Sequence, residues 1–82
     1  MTMRVGMVVR SIAGKDRGRY SVVVSCPDGC VMICDGRHRR LAAPKRKNLR
    51  HVEPTDEIAP DCMTSDRAVR KLLWKYNFGK DN

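Results

Sequence analysis

The strongest pattern along the chain is a pair of β-branched runs, one near Val5 to Ser11 and one near Arg19 to Cys26, set on either side of a polar loop. Val, Ile and Tyr suit a pleated, half-buried surface, so both runs are predicted to be strands. Alternation puts Val5, Met7 and Val9 on one face of the first and Val8 and Arg10 on the other; Tyr20, Val22, Val24 and Cys26 share a face of the second. In the loop, Gly14 and Gly18 bracket Lys15-Asp16-Arg17, and glycine's access to positive φ allows a short reversal there.

The same pattern continues. Pro27-Asp28-Gly29 reads as a hairpin loop, with Pro27 presetting φ for a type I turn and Gly29 taking the left-handed position. Cys30 to Cys34 is a third strand. Asp35-Gly36 is a two-residue type I′ hairpin signal, which predicts a fourth strand over Arg37 to Leu41. Pro44 has no N–H for a central ladder and ends that pairing, leaving Lys45 to Asn48 as an exposed loop and Leu49 to Glu53 as a fifth strand. Five short strands joined by hairpins predict a small closed barrel.

After the strands the pattern changes. Glu53 to Met63 is acidic, contains Pro54 and Pro60, and reads as an irregular linker. Thr64-Ser65-Asp66 is a helix N-cap signature with an acid in the first turn, and it predicts a helix over Asp66 to Tyr76 with Gly79 as a stop. Ala68, Val69, Leu72, Leu73 and Tyr76 form its apolar stripe, while Arg67, Arg70, Lys71 and Lys75 lie opposite, with Trp74 among them. Either the stripe docks on the barrel or it meets a partner; Trp74 and Tyr20 are both expected to pack rather than to present themselves to solvent. The expected organisation is a barrel over 1–54, an acidic linker over 55–64 and a C-terminal helix and tail over 65–82: a mainly β fold with one short α-helix.

Length and charge narrow the function. A chain of 82 residues makes one domain at most. It buries only about 60–65% of its unfolded surface, which leaves little room for a deep catalytic cleft. The net charge of +8 is concentrated. Residues 37–52 hold seven basic residues and no acid, namely Arg37, Arg39, Arg40, Lys45, Arg46, Lys47 and Arg50, whereas residues 53–66 hold five acids and no base. A strand, a loop and a second strand packed together would converge these cations on one edge, where their mutual repulsion is relieved by a polyanion that releases its counterions. Lys15, Arg17 and Arg19 join such a surface only if their loop lies beside it. Asn48 and His51 add hydrogen-bonding groups within reach of a base edge or a hydroxyl.

Other chemistries fare less well. Cys26, Cys30, Cys34 and Cys62, with His38, suggest a metal on paper. Four residues of regular strand span about 13 Å, however, and zinc–sulfur bonds are about 2.3 Å, so Cys30 and Cys34 do not share an ion, and no metal or other cofactor is expected. Cys26 and Cys30, facing each other across a hairpin, are candidates for oxidation in vitro. No nucleophile–base or acid–base pair stands out, so no enzyme activity is expected. No segment has the eighteen apolar residues of a membrane span, and Arg4 and Arg10 interrupt the N-terminal apolar residues that a signal peptide would need. A cytoplasmic protein with reduced thiols is the resulting expectation.

The unit Val5 to Val24, with its alternating apolar residues, Gly14 at the loop and basic loop residues, resembles the KOW motif of ribosomal proteins and transcription elongation factors. With the run Asp35 to Val52 added, the chain is similar to the stand-alone bacterial KOW-domain RNA-binding proteins related to the fourteenth-e class of large-subunit ribosomal proteins. The resemblance covers roughly Gly6 to Val52. It implies an SH3-like barrel and contacts to ribosomal RNA through the basic loops. On that basis Arg39, Arg40, Lys45, Arg46, Lys47 and Arg50 are the expected phosphate anchors, Lys15 and Arg17 a secondary contact, and Asn48 and His51 the finer readout. Two alternatives stay open: a protein-interaction module that docks a partner on the C-terminal helix through Leu72, Leu73 and Trp74, and a non-specific DNA binder.

Overall fold

The computed structural model describes residues 3–59 and 65–79. Its elements are β1 (Met7–Ser11), β2 (Tyr20–Ser25), β3 (Cys30–Cys34), β4 (Lys45–Asn48), a single 3-10 turn (Leu49–His51), β5 (Val52–Ile58) and α1 (Asp66–Asn77). The five strands form one antiparallel sheet in the order β4-β3-β2-β1-β5. Only the 3-10 turn separates β4 at one edge from β5 at the other, so the sheet has to curl on itself into a barrel-like shape. The mainly β architecture with one C-terminal helix is the one the hydrophobic pattern predicts.

Adjacent residues on a strand face opposite ways, yet Val8 and Val9, Val22 and Val23, and Ile33 and Cys34 are all buried. Both faces of the sheet are therefore covered. Val9, Val23, Val31, Ile33 and Val52 fill the interior of the curl. Val8, Val22 and Cys34 lie on the other face with Ala59, beneath Val69 and Leu73 of α1. The helix thus docks on the sheet through its apolar stripe. Ser65 caps it, its hydroxyl accepting from the Ala68 amide at 3.1 Å. At the far end the Asn77 side chain accepts from the Tyr20 amide (2.9 Å) and donates to the Tyr20 carbonyl (3.2 Å), while the rings of Tyr20 and Tyr76 stack with centroids 4.7 Å apart. Tyr20 packs, as expected. Trp74 does not: it is 58% exposed.

Two strands lie elsewhere than predicted. Arg37 to Leu41 is not a strand but part of a loop between β3 and β4, and the fourth strand is Lys45–Asn48, where the sequence pattern predicts a loop. The cause is Asp35. One of its carboxylate oxygens accepts the amides of Arg37, His38 and Arg39 at 2.8–2.9 Å, which holds these residues in a local turn instead of a ladder. β4 starts one residue after Pro44 and lies at a sheet edge, where a charged Lys-Arg-Lys-Asn strand is well tolerated. The fifth strand is Val52–Ile58 rather than Leu49 to Glu53, so it runs into the stretch that had read as linker. Pro54 is acceptable there because β5 is the opposite edge; the register slips beside it, and the Thr55 hydroxyl bonds the Val8 carbonyl at 2.8 Å. Cys62 and the rest of the expected linker over 60–64 lie outside the described residues.

The β3–β4 loop is fastened to the helix. The Asp66 carboxylate accepts from the Leu41 amide (2.7 Å), and the Arg70 guanidinium donates to the Gly36 carbonyl (2.7 Å). Gly36 is buried at this junction with φ +78°, and a Cβ there would collide with the Asp66 carbonyl oxygen. Gly29 has the same φ but open space around it. Gly36→Ala is therefore expected to cost about 3 kcal/mol or more, from the strained backbone plus the steric clash, and to lower the melting temperature by roughly 10 °C or more. Gly29→Ala should cost only the backbone part, about 1 kcal/mol. Thermal melts of both variants check the difference.

Candidate nucleic-acid interface

The β1–β2 loop reverses tightly. The Ser11 amide donates to the Arg19 carbonyl (2.9 Å) and the Gly18 amide to the Ser11 carbonyl (2.7 Å), which throws Lys15, Arg17 and Arg19 into solvent. This loop lies beside the β3–β4 loop. Lys15 and Arg19 line one shallow depression together with His38, Arg39 and Lys45. The condition under which these turn charges matter is thus met: cations from two loops distant in sequence share one concavity.

Two acids also line that depression, Asp16 and Asp35, and both are occupied. Asp35 holds the three loop amides. Asp16 accepts from the Ser11 hydroxyl (3.2 Å) and the Lys47 ammonium (2.6 Å). Burial opposes its ionisation, but the hydrogen bond and charge of Lys47, aided by the charge of Lys45, outweigh burial and hold its carboxyl below the ordinary value of 3.8.

Lys47 is the exception among the expected anchors. It is buried, with 6% of its side chain accessible, and its ammonium also donates to the Ala13 carbonyl at 2.8 Å. This lysine ties β4 to the β1–β2 loop from inside, so it is removed from the exposed cations. The sequence pattern hid this because nothing in Lys45-Arg46-Lys47 distinguishes one cation from the next; only the register of an unexpected strand turns Lys47 inward.

The rest of the basic run divides. Arg37 and Arg40 line a second, larger groove between the β3–β4 loop and α1, and Arg19 borders it as well as the first depression. Arg17, Arg46, Asn48, Arg50 and His51 are exposed but line neither concavity. Asn48 has a structural duty, its side chain accepting from the Arg50 amide (2.9 Å) to cap the 3-10 turn. Alternation along β4 sets Arg46 and Asn48 on the face opposite Lys45 and Lys47. A single rim holding every predicted cation is therefore not what folding produces. The helix adds cations from outside the basic run of residues 37–52: Arg67, Arg70 and Lys71 all line the larger groove. Their signal was present in the polar face of the amphipathic helix.

Of the acids after residue 52, Asp66 touches the β3–β4 loop through the Leu41 amide, whereas Glu53 and Glu57 are paired away from the basic loops. Glu53 pairs with Arg10 at 3.3 Å, and Glu57 with Lys75 at 3.0 Å. Glu57 also accepts from the Tyr76 hydroxyl at 2.6 Å, and this bond with that from Lys75 lowers its pKa. Of the cysteines, Cys26 is exposed and Cys30 and Cys34 are buried, all as free thiols. Burial, then the charges of Asp66 and Asp35, push the Cys34 thiol up to about 11, which makes it a poor nucleophile. Among the described residues no group of acids, cysteines or histidines has the arrangement of a metal site, and no helix is long and apolar enough to cross a membrane.

Comparison with known proteins finds several similar proteins, among them three large ribosomal subunit proteins eL14. The protein from Pyrobaculum calidifontis is 35% identical over 71 residues, which covers 84% of this chain and 69% of the relative. That from Pyrobaculum neutrophilum is 32% identical over the same span and coverage. That from Pyrobaculum islandicum is 33% identical over 54 residues, or 65% of this chain and 52% of the relative. No family model matches the chain. These relatives come from Pyrobaculum species, whereas the motif resemblance pointed to bacterial proteins.

Two variants test the internal lysine. Lys47→Met leaves the Asp16 carboxylate half-buried without its partner and is expected to cost about 2–4 kcal/mol in urea unfolding, while Arg46→Met should stay within about 0.5 kcal/mol. Asp16 and Glu57 both ionise below their ordinary values in the folded state. The stability they add is fully present above the ordinary carboxylate range and is lost as pH falls through their lowered folded values. Melting temperature should therefore drop on acidification below about pH 4, and the drop should be shallower in Asp16→Asn.

Proposed function

Because the chain belongs to the eL14 family of large ribosomal subunit proteins, we propose that it is a non-enzymatic RNA-binding protein of the ribosome that anchors on the phosphates of folded ribosomal RNA. The observation that carries the reading is the meeting of Lys15, Arg19, Arg39 and Lys45 in one depression whose two acids are already engaged. Cations held together this way gain by exchanging self-repulsion for phosphate contacts and counterion release. Arg37 and Arg40 extend the surface past Arg19 into the second groove. Arg17, Arg46, Arg50 and His51 are free to meet RNA that wraps further round. Lys47 contributes indirectly, by fixing the loop that carries Lys15. The protein would work in the cytoplasm, where the ribosome is, and needs no cofactor for this task.

The partner-protein alternative has lost ground on one point. Leu73, which it would place against a partner, is 1% exposed beneath the sheet.

Four phosphate contacts predict that log K falls with log salt at a slope of about −3 to −3.5. The measurement is a salt titration with a ribosomal RNA fragment. A slope near zero would contradict the reading. Arg39→Ala with Lys45→Ala should reduce the slope by about 1.5–2 and weaken binding to different RNA sequences about equally. Duplex DNA as competitor at moderate salt tests for RNA preference.

A further inference from the structure

The groove between the β3–β4 loop and α1 contains something that phosphate anchoring does not use. Its floor and rim carry two exposed aromatic residues, Trp74 (58% accessible) and Phe78 (52%), whose ring centroids are 4.7 Å apart at an interplanar angle of 38°. They lie one turn apart at the solvent side of the helix, so neither serves the core. The Arg37 guanidinium, from the facing loop, sits 5.6 Å from the Phe78 ring centroid. Around the aromatics stand Arg40, Arg67 and Lys71. The acid lining the groove, Asp35, is outnumbered by the cations that line it as well, Arg19, Arg37, Arg40, Arg67, Arg70 and Lys71. The space is about 920 Å³, within the ~300–1,000 Å³ typical of small-molecule sites.

Adjacent exposed aromatics beside a charged groove offer an apolar surface that a ligand can cover. Three features say what that ligand is. The aromatic faces call for a flat, apolar-faced group. The guanidinium at the ring edge of the groove provides a second planar surface for stacking. The surrounding cations call for negative charge close to that flat group. An unpaired nucleotide combines both in one residue: a base with a π-face, joined by a short link to phosphate. An acidic peptide would supply the charge but not, at every position, the plane.

We propose that this groove holds a single unpaired nucleotide of the bound RNA, its base stacked on the exposed Trp74 ring beside the Phe78–Arg37 pair and its phosphates met by Arg40, Arg67 and Lys71. The inference rests on the RNA-binding function above and adds to it a preference for RNA with an unstacked base. Arg70 does not take part in binding, since its guanidinium holds the Gly36 carbonyl and positions the loop against the helix. Stacking is tolerant of base identity, so the selectivity is for an unpaired base and not for a sequence.

Trp74 is the chain's single tryptophan, which makes its fluorescence a direct reporter. The full chain is titrated with two RNA hairpins of equal stem length, one fully paired and one with a single bulged nucleotide. The bulged hairpin is expected to bind roughly tenfold tighter, from ~1–3 kcal/mol of base–aromatic stacking, and to quench Trp74, whereas the paired hairpin leaves the emission nearly unchanged. Trp74→Ala and Phe78→Ala should remove the preference while leaving affinity and salt slope for the paired hairpin as they were; Trp74→Phe should keep most of it. Equal binding of both hairpins with a normal salt slope would overturn the stacking site and leave the electrostatic reading standing. Binding of neither hairpin would overturn both. Quenching by an acidic peptide but by neither RNA would assign the groove to a protein and overturn the proposal.

Discussion

Burial on both faces of a small sheet is the constraint from which the rest follows. A free-standing sheet of this size can hide one face in its own curl and leave the other wet. Here Val8, Val22 and Cys34 make the second face apolar too, so the barrel-like unit is incomplete without α1. The helix has to lie where it does, with Val69 and Leu73 against those residues. That placement sets Arg67, Arg70 and Lys71, on the flank of the helix, beside the β3–β4 loop. One apolar requirement therefore assembles a charged groove from elements some thirty residues apart in sequence, linked by the Arg70 to Gly36 and Leu41 to Asp66 bonds.

The parts of this arrangement that local chemistry determines were legible in the sequence. β1, β2 and β3 follow from β-branched alternation, and the consecutive valines at 8–9 and 22–23 carry the signature of two-sided burial. Ser65 capped the helix as its residue type predicts. What could not be read was settled by competition between local and distant partners. Asp35-Gly36 has the composition of a two-residue turn, but the Asp35 carboxylate found three amides instead, and the strand expected at Arg37 moved to Lys45. Pro54 and an acidic composition argued for a linker; the unpaired edge of β1 recruited the segment as β5 nonetheless.

The site was legible in charge and illegible in direction. The density of cations over residues 37–52 marks a basic surface, most of which the fold leaves exposed. Composition says nothing about which of them fold inward, and the answer turned on the register of β4, which buries Lys47 and exposes its neighbours. Arg67, Lys71 and Trp74 were visible as one face of a helix but became part of the surface only once that helix was placed. Charge counts thus locate a cationic region, while the direction each side chain takes within it belongs to tertiary structure.

The three amides gathered on one Asp35 oxygen have a consequence for how tightly such a surface can hold its target. An arginine-bearing segment left loose would forfeit about 1–2 kcal/mol of backbone freedom per residue on being immobilised against RNA. In this protein folding has already taken that freedom from Arg37, His38 and Arg39. Any anion meeting this segment would find it already rigid, so the attraction of each guanidinium would be opposed by little more than the ordering of its own side chain.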